Sequence, residues 1–547
     1  MAKRPGLTAR QEQQALLWQT HPRYDEWAPT WRLLGEVAEG DGGFLDGSNL
    51  TPHPRELDYA VDRSGQPDWT APIAEKEKFK RRKRLGRYEN FASTILDTYV
   101  DYQYAKPAAR TLTGPSATDL KRWWEDVDGN GTHIDTWLKE TQVLANTYGH
   151  VWVVLDRLQP QKGPVRTRAE EGPLVLRTYV PLDALDWLAP HNRLTAIKLV
   201  EVVERTSLFE PSPVAIQFPV AAADVSRLGL AAVQFRLLTD RTWELRNGEG
   251  DVVDEGTHAF GEVPVLPFYA RRRARLPFVG RSLLGDGRLF LDHYNLVSEL
   301  RELLRGQTFA ILNIQLAQDE EVVEARTRLG EHLGIESIAW TRGGMNFIAP
   351  PDGPAARYAE EIATVERKVY RLVGLPYEGD SFAAEAAESR RLKAMDLNRL
   401  LAGHADHAEM FEYALARKWF IATYGREAGL ARYAASDLKI AHPDEFHTTA
   451  VLETVDNAKA VLTLPIGRTA HRLTLLRALP TLLPDLTPEE TQIVTAEIDP
   501  ALDAAASLEA ALTGMEPLEP EASETPAGEQ ATGGAAPAGL PTTSEAA

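Results

Sequence analysis

The sequence predicts an α+β fold, helix-rich at both ends with its strands gathered in the middle. Two observations carry this. Runs rich in β-branched and aromatic residues follow one another from Leu174 to Tyr269 without an intervening helical period. On either side, long stretches repeat apolar residues at helical spacing, the longest from about Ala383 to Gly425. Strands segregated from helices distinguish α+β from an alternating α/β chain.

Taken in order, residues 1–87 are mixed, rich in Trp and Pro, and close with the basic run KEKFKRRKRLGR. A helix follows in YENFASTILDTYVDYQYAKP, ended by Pro107. ATDLKRWWEDV and HIDTWLKETQVLANTYG form a helix pair, and HVWVVLDR reads as a strand. LVLRTYV, LTAIKLVEVVERT, AAVQFRLLT and RTWELRNGEGDVVDEG continue as strands. Asn247-Gly248 in the last supplies the positive φ angles that a tight hairpin requires. After RRRARLPFVGRS, a charged joint, the chain becomes helical in SLLGDGRLFLDHYNLVSELRELLRGQ. Short strands in TFAILNIQ and SIAWTRGGMNFIAP flank the polar helix DEEVVEARTRLGEHLG. A second helix, from Ala355, places Tyr358, Ile362, Val365, Val369 and Leu372 at steps of four and three, a seam for packing. LPYEGDSF interrupts it, and the long helix to Gly425 spans on the order of 60 Å at 1.5 Å per residue, broken at most by Gly403. A last helical region runs through HRLTLLRALPTLLPDLTPEETQIVTAEI.

Composition excludes several classes of function. The chain of 547 residues has no cysteine, which removes disulfides, thiolate metal sites and cysteine nucleophiles. No apolar run approaches the roughly 20 residues of a membrane span, and MAKRPGLTARQEQQ is too polar for an export signal, so a soluble, intracellularly made protein is expected. The net charge of −19 argues against a general nucleic-acid binder. The tail, residues 515–547, is acidic, poor in bulky apolar residues and expected to be disordered. There is no P-loop, no G-x-S-x-G elbow and no H-E-x-x-H.

DVDGNGTHIDTW imitates a calcium loop: Asp126, Asp128, Asn130 and Gly131 fill its first, third, fifth and sixth places. The twelfth place, which needs a bidentate Glu, is Trp137, and Glu140 comes too late. The stretch is therefore read as a turn between two helices, made by residues that accept left-handed backbone. His404 and His407, with Glu409 nearby, lack a further ligand at a useful spacing and are read as packed or solvated. Trp123, Trp124 and Trp137 each lie on an amphipathic helix and are assigned to the core. The cations Lys80, Arg81, Arg82, Lys83 and Arg84 form either a solvated face or a docking segment for DNA or an acidic capsid surface. No acid, base and nucleophile come together, and no cofactor motif is present.

The order of these elements resembles the portal (head–tail connector) protein of tailed bacteriophages, over roughly residues 88–425. The likeness lies in RYENFASTILDTYVDYQYAKP, DVDGNGTHIDTWLKETQVLANTYGHVWVVLD, YVPLDALDW, GRSLLGDGRLFLDHYNLVSELRELL, and the stretch from Tyr358 to Leu415. The resemblance implies a non-enzymatic protomer with an N-terminal extension at 1–87 and an αβ wing at 88–281. Stem helices at 282–307 and 354–373 would flank a clip at 308–353. A tunnel loop at 374–386, a long wing helix at 387–426 and a helical crown at 427–514 would precede the tail. It further implies a dodecameric ring at the portal vertex of the virion, assembled in the host cytoplasm and passing double-stranded DNA during packaging and ejection. Its partners would be the terminase large subunit, the major capsid protein and a head–tail adaptor, with no membrane and no cofactor.

On this resemblance, Glu378, Asp380, Ser381 and Phe382 are candidates for the channel constriction, and Glu360, Glu361 and Glu366 for the stem lining. Arg326, Arg328, Glu331 and Arg342 in the clip are candidates for motor or adaptor contact. The tunnel loop carries no Lys or Arg, a departure that argues against its gripping phosphate directly. Two other readings stay open: a head-completion or scaffold protein without a channel, and a metal-dependent enzyme using the Asp126–Asn130 cluster or His404 and His407.

Overall fold

The structure, a computed structural model, describes residues 15–61, 66–157, 172–202, 233–258, 260–307, 311–314, 345–348, 353–375, 377, 387–443, 460–461, 468–482, 493–500 and 502. It is α+β, as the sequence predicts. The chain divides into two compact units, Met1–Thr448 and Thr449–Ala547.

In the first unit the strands form two main sheets. β4 (His150–Arg157) is the middle strand of an antiparallel trio, flanked by β5 (Leu174–Tyr179) and β11 (Val265–Tyr269). The second sheet is an antiparallel meander of β6 (Ala184–Leu188), β7 (Ala196–Val202), β8 (Val233–Thr239), β9 (Thr242–Asn247) and β10 (Val252–Thr257). Three two-stranded ribbons complete the strands: β1 (Leu57–Val61) with β2 (Pro67–Glu75), β3 (Ala109–Thr111) with β14 (Lys439–Ala441), and β12 (Ile311–Ile314) with β13 (Met345–Ile348).

β4 organises the interior. Its side chains alternate between two cores: Trp152 and Val154 face one, Val151, Val153 and Leu155 the other. A strand covered on both faces has no use for alternating polar residues, which explains the unbroken HVWVVL. The first core lies between the two sheets and receives Tyr24, Ala28 and Trp31 of helix α1 (Pro22–Glu39). The second takes α4 (Ala117–Glu125), α5 (Ile134–Tyr148) and the C-terminal half of α8 (Ala387–Tyr424); Trp123, Trp124 and Trp137 pack there, as assigned. The third joins α3 (Phe91–Gln103), α6 (Arg288–Gln307), α7 (Gly353–Val373) and the Leu397–Ala405 stretch of α8, with Leu34 and Val37 of α1.

Helices α1, α5 and α8 tie cores together, α5 through Tyr148 in the first and Leu138 in the second. α8 carries Leu401 into the third core and Phe420 into the second, running uninterrupted through Gly403. α1 belongs to the first and third, so the segment expected as an extension threads through the middle of the unit. Its close fit depends on glycine: a Cβ on Gly35 would stand 2.6 Å from the Tyr148 hydroxyl. At the α5–β4 junction Gly149 adopts φ 90°, and a Cβ on Gly280 would meet its carbonyl oxygen at 1.9 Å.

Three local expectations change. The β9–β10 hairpin forms, but not through a two-residue Asn-Gly turn. The Asn247 side chain accepts from the amides of Glu249 and Asp251, at 3.1 and 2.8 Å, and Gly250 carries the positive φ of 100°. In α7 the buried residues are Val365, Val369 and Val373, whereas Leu372 is exposed. At about 100° per residue Val365, Val369 and Val373 span roughly 80° of the helix circumference, the arc turned to the third core, and Leu372 falls just beyond its edge. The charged joint is bound into the fold: Arg273 donates from Nε to the Gly280 carbonyl at 3.0 Å and stacks on Trp27.

In the second unit, α9 (Arg468–Leu482) and helical residues 493–500 carry an Arg472–Asp499 ion pair at 3.3 Å, with Ala478 and Ile498 buried. Residues 515–547 lie outside the described residues. No helix among the described residues is long and apolar enough to cross a membrane.

Candidate functional site

The site grows from the hairpin of α6 and α7. Three pairings fix its antiparallel sense. Tyr358 Oη donates to Glu299 Oε2 at 3.0 Å, and His293 Nε2 lies 3.2 Å from Glu366 Oε1. Further along, Gly285 approaches Leu372 so closely that a Cβ would stand 3.0 Å from its Cδ2. Phe290, Tyr294, Val369 and Val373 supply the shared apolar contact. At one end the hairpin leads through the β12–β13 ribbon, and at the other Gly374, at φ 74°, turns the chain out of α7 towards α8.

Tyr377 anchors that exit. Its hydroxyl donates to Glu366 Oε2 at 2.5 Å, and its ring lies 5.5 Å from Tyr370 and 5.8 Å from the Arg367 guanidinium. The bond to Glu366 is the main cause that pushes the Tyr377 hydroxyl up to about 12. Glu366 therefore holds His293 with one oxygen and Tyr377 with the other. Its neighbours Glu360 and Glu361 are exposed, with Glu361 3.9 Å from Lys368. The exposed strip of α7 also carries Arg357, Lys368 and Arg371, so its charge is mixed rather than acidic throughout. Glu378, Asp380, Ser381 and Phe382 lie outside the described residues, as do Arg326, Arg328, Glu331 and Arg342.

The basic run forms α2 (Glu77–Leu85), and most of its charge is engaged within the chain. Lys80 pairs with Glu77 at 2.8 Å and Lys83 with Glu75 at 2.7 Å, while Arg81 pairs with Glu302. Arg82 is only 4% exposed and sits between Glu56 at 3.4 Å and Glu299 at 3.5 Å. Arg84 is exposed. α2 thus docks onto α6 instead of offering five free cations.

The Asp126–Thr132 loop is a bend between α4 and α5. Asp126 Oδ1 accepts from the amides of Gly129 and Gly131 at 2.7 and 3.0 Å, and Asp128 accepts from the Asn130 amide and the Thr132 hydroxyl at 2.8 Å each. Gly129 and Gly131 carry φ of 81° and 87°. His404 is buried against Tyr99, and burial pushes its imidazole down to about 3. His407 Nδ1 lies 2.6 Å from the Gly403 carbonyl on its own helix. Among the described residues no group of three or more His, Asp or Glu is placed to hold a metal.

Sequence reasoning missed a buried ionic cluster. Glu412 on α8 accepts from Arg110 Nε at 2.7 Å and Nη2 at 3.0 Å, and contacts His442 Nε2 at 2.5 Å. Arg110 also pairs with Asp135 at 2.7 Å. These residues bring α5, α8 and the β3–β14 ribbon together. The single hint in the sequence is an acid set among the apolar residues of MFEYALARKWF.

No family model matches the chain, and no curated protein matches it. Among solved structures the chain is similar to components of gene transfer agent (GTA) particles. A chain from the neck of an empty GTA particle, computed with C6 symmetry, aligns with TM-score 0.36 and 11% identity over 72% of this chain and 91% of that one. A chain from the virion of a native GTA particle gives 0.34 and 13%, over 70% and 89%. One from the neck of a native GTA particle, computed with C12 symmetry, gives 0.32 and 13%, over 70% and 90%.

Proposed function

We propose that this chain is the protomer of a portal ring, the channel at one capsid vertex through which double-stranded DNA is packaged and ejected. The observation that carries this is the α6–α7 hairpin with its β12–β13 ribbon at one end and, at the other, the exit of the chain at Gly374 ahead of the long helix α8. Such a hairpin buries one face against its own body and leaves the other outward. Leu304 and Leu372 are each 46% exposed on it, which suits a neighbouring copy supplied by a closed ring.

In that ring Glu360 and Glu361 face the lumen together with Arg357, Lys368 and Arg371. A surface of mixed sign on a chain of net charge −19 makes few lasting phosphate contacts, so a duplex slides. Glu378, Asp380, Ser381 and Phe382 form the constriction. Arg326, Arg328, Glu331 and Arg342 meet the terminase motor and then the head–tail adaptor, and the αβ body meets the major capsid protein. The chain acts by positioning and carries out no covalent chemistry. End-on electron micrographs and the native mass of the purified protein test the reading. The expected result is a closed ring of twelve copies with an axial channel. A compact monomer under every assembly condition, or capsid-protein binding without a ring, rejects it.

A further inference from the structure

Between α2 and α6 lies a cavity of about 210 Å³ whose polar lining is Arg82, Ser298, Arg301, Glu302 and Arg305. Glu302 is its one acid, and Arg81 takes it from outside the lining. Arg82 Nε and Ser298 Oγ are buried and have no hydrogen-bond partner among the described residues. Ser298 is 5% exposed and Arg82 4%, so both groups bear the penalty of a desolvated donor. Arg301 reaches out to Glu89 at 2.9 Å, and Arg305 is exposed at the last turn of α6. Donors therefore converge on one small space, while the carboxylates that hold Arg82 and Arg301 (Glu56, Glu299 and Glu89) lie outside its lining.

We infer that this cavity binds a phosphate group, either as free inorganic phosphate or carried on a nucleic-acid backbone. A carboxylate offers two oxygens in a plane. Here a hydroxyl, a buried Nε–H and two side chains with guanidinium forks surround the space, an arrangement matched by the tetrahedral set of oxygens on phosphate. The anion would satisfy the two buried donors and pair with Arg305 at the cavity's rim. The site does not depend on ring formation and is testable on the full chain in any oligomeric state.

The test follows the melting temperature of the full chain during titration with inorganic phosphate, with chloride holding ionic strength constant so that screening does not vary. The wild type is expected to show a saturable rise. R305Q, which removes an exposed cation without disturbing packing, raises the half-saturating concentration about tenfold, as for loss of one charge-assisted hydrogen bond. S298A raises it by a smaller factor. R288Q, an exposed cation at the opposite end of α6, leaves it unchanged. A short DNA duplex in place of phosphate separates the two sources: stabilisation that R305Q abolishes assigns the backbone phosphate, and stabilisation by phosphate alone assigns the free anion. Absence of a saturable rise with either probe, or the same midpoint in wild type, S298A and R305Q, overturns the site.

Discussion

Glu412 and Asp183 are both carboxylates buried in the first unit, and their surroundings drive them in opposite directions. Burial alone raises a carboxyl group. At Glu412 the hydrogen bonds from His442 and Arg110 outweigh burial and hold it below the usual range. Asp183, in the turn before β6, has one strong partner, the Val180 amide at 2.9 Å, and its Oδ1 has none among the described residues. Burial, with the charge of Glu201 adding to it, pushes Asp183 up to about 7. Depth therefore does not decide what a buried acid does; its partners do. Glu412 fastens three elements together, whereas burial biases Asp183 towards its protonated form.

The sharpest way to break this contrast is E412A. It leaves Arg110, 7% exposed, with Asp135 as its remaining carboxylate, and should cost about 3–5 kcal/mol by denaturant unfolding. A loss below about 1 kcal/mol would mean that the cluster is not a fastening. D183N comes next, and its effect depends on pH. A folded-state value raised from 3.8 to about 7 gives stability that is present in full below 3.8 and is lost as pH rises through 7. Relative to wild type, D183N should gain on the order of 2–4 kcal/mol between pH 4 and pH 8. Parallel stability curves for the two proteins would show that Asp183 does not titrate in that window.

What the sequence made legible follows from the range over which each signal acts. β4, β5 and β7–β10 were readable because strand propensity and side-chain alternation leave a local pattern. The Asp126–Thr132 bend was readable because its twelfth position lacks an oxygen, and the Trp residues of α4 and α5 because helical spacing puts them on one face. The Arg110–Glu412 bond joins residues 302 apart, and no spacing rule reaches that far. The basic run looked like free charge because its acids, Glu56, Glu299 and Glu302, come from distant segments. Val373 is buried in place of Leu372 because the elements packed on α7 come from distant parts of the same chain, and spacing within the helix does not show where they sit.

Glu366 lies between the two extremes, with its side chain 28% exposed and bonds to both His293 and Tyr377. Truncation in E366A should cost about 1–2 kcal/mol, less than at Glu412 because water can replace part of what is lost. The loss should be local. Hydrogen exchange in the last turn of α7 should quicken, with β4 unaffected. Uniform acceleration across both would show that Glu366 supports the whole unit and not only the exit at Tyr377.

The smallest effect is expected on α2, where a single helix repeats the contrast. Arg82 is enclosed between Glu56 and Glu299, whereas Lys80 pairs with Glu77 in solvent and Arg84 points outward. An exposed ion pair gains little because water already stabilises both charges and salt screens them. K80Q and R84Q should therefore leave the melting temperature where it is in the wild type, at low and high salt alike. Any role for these two cations would then appear only when a partner is bound, as a change in the salt dependence of association. A clear drop in melting temperature for either variant at low salt would show instead that the surface of α2 contributes to the fold, and that the difference between its buried and exposed charges is smaller than their exposure implies.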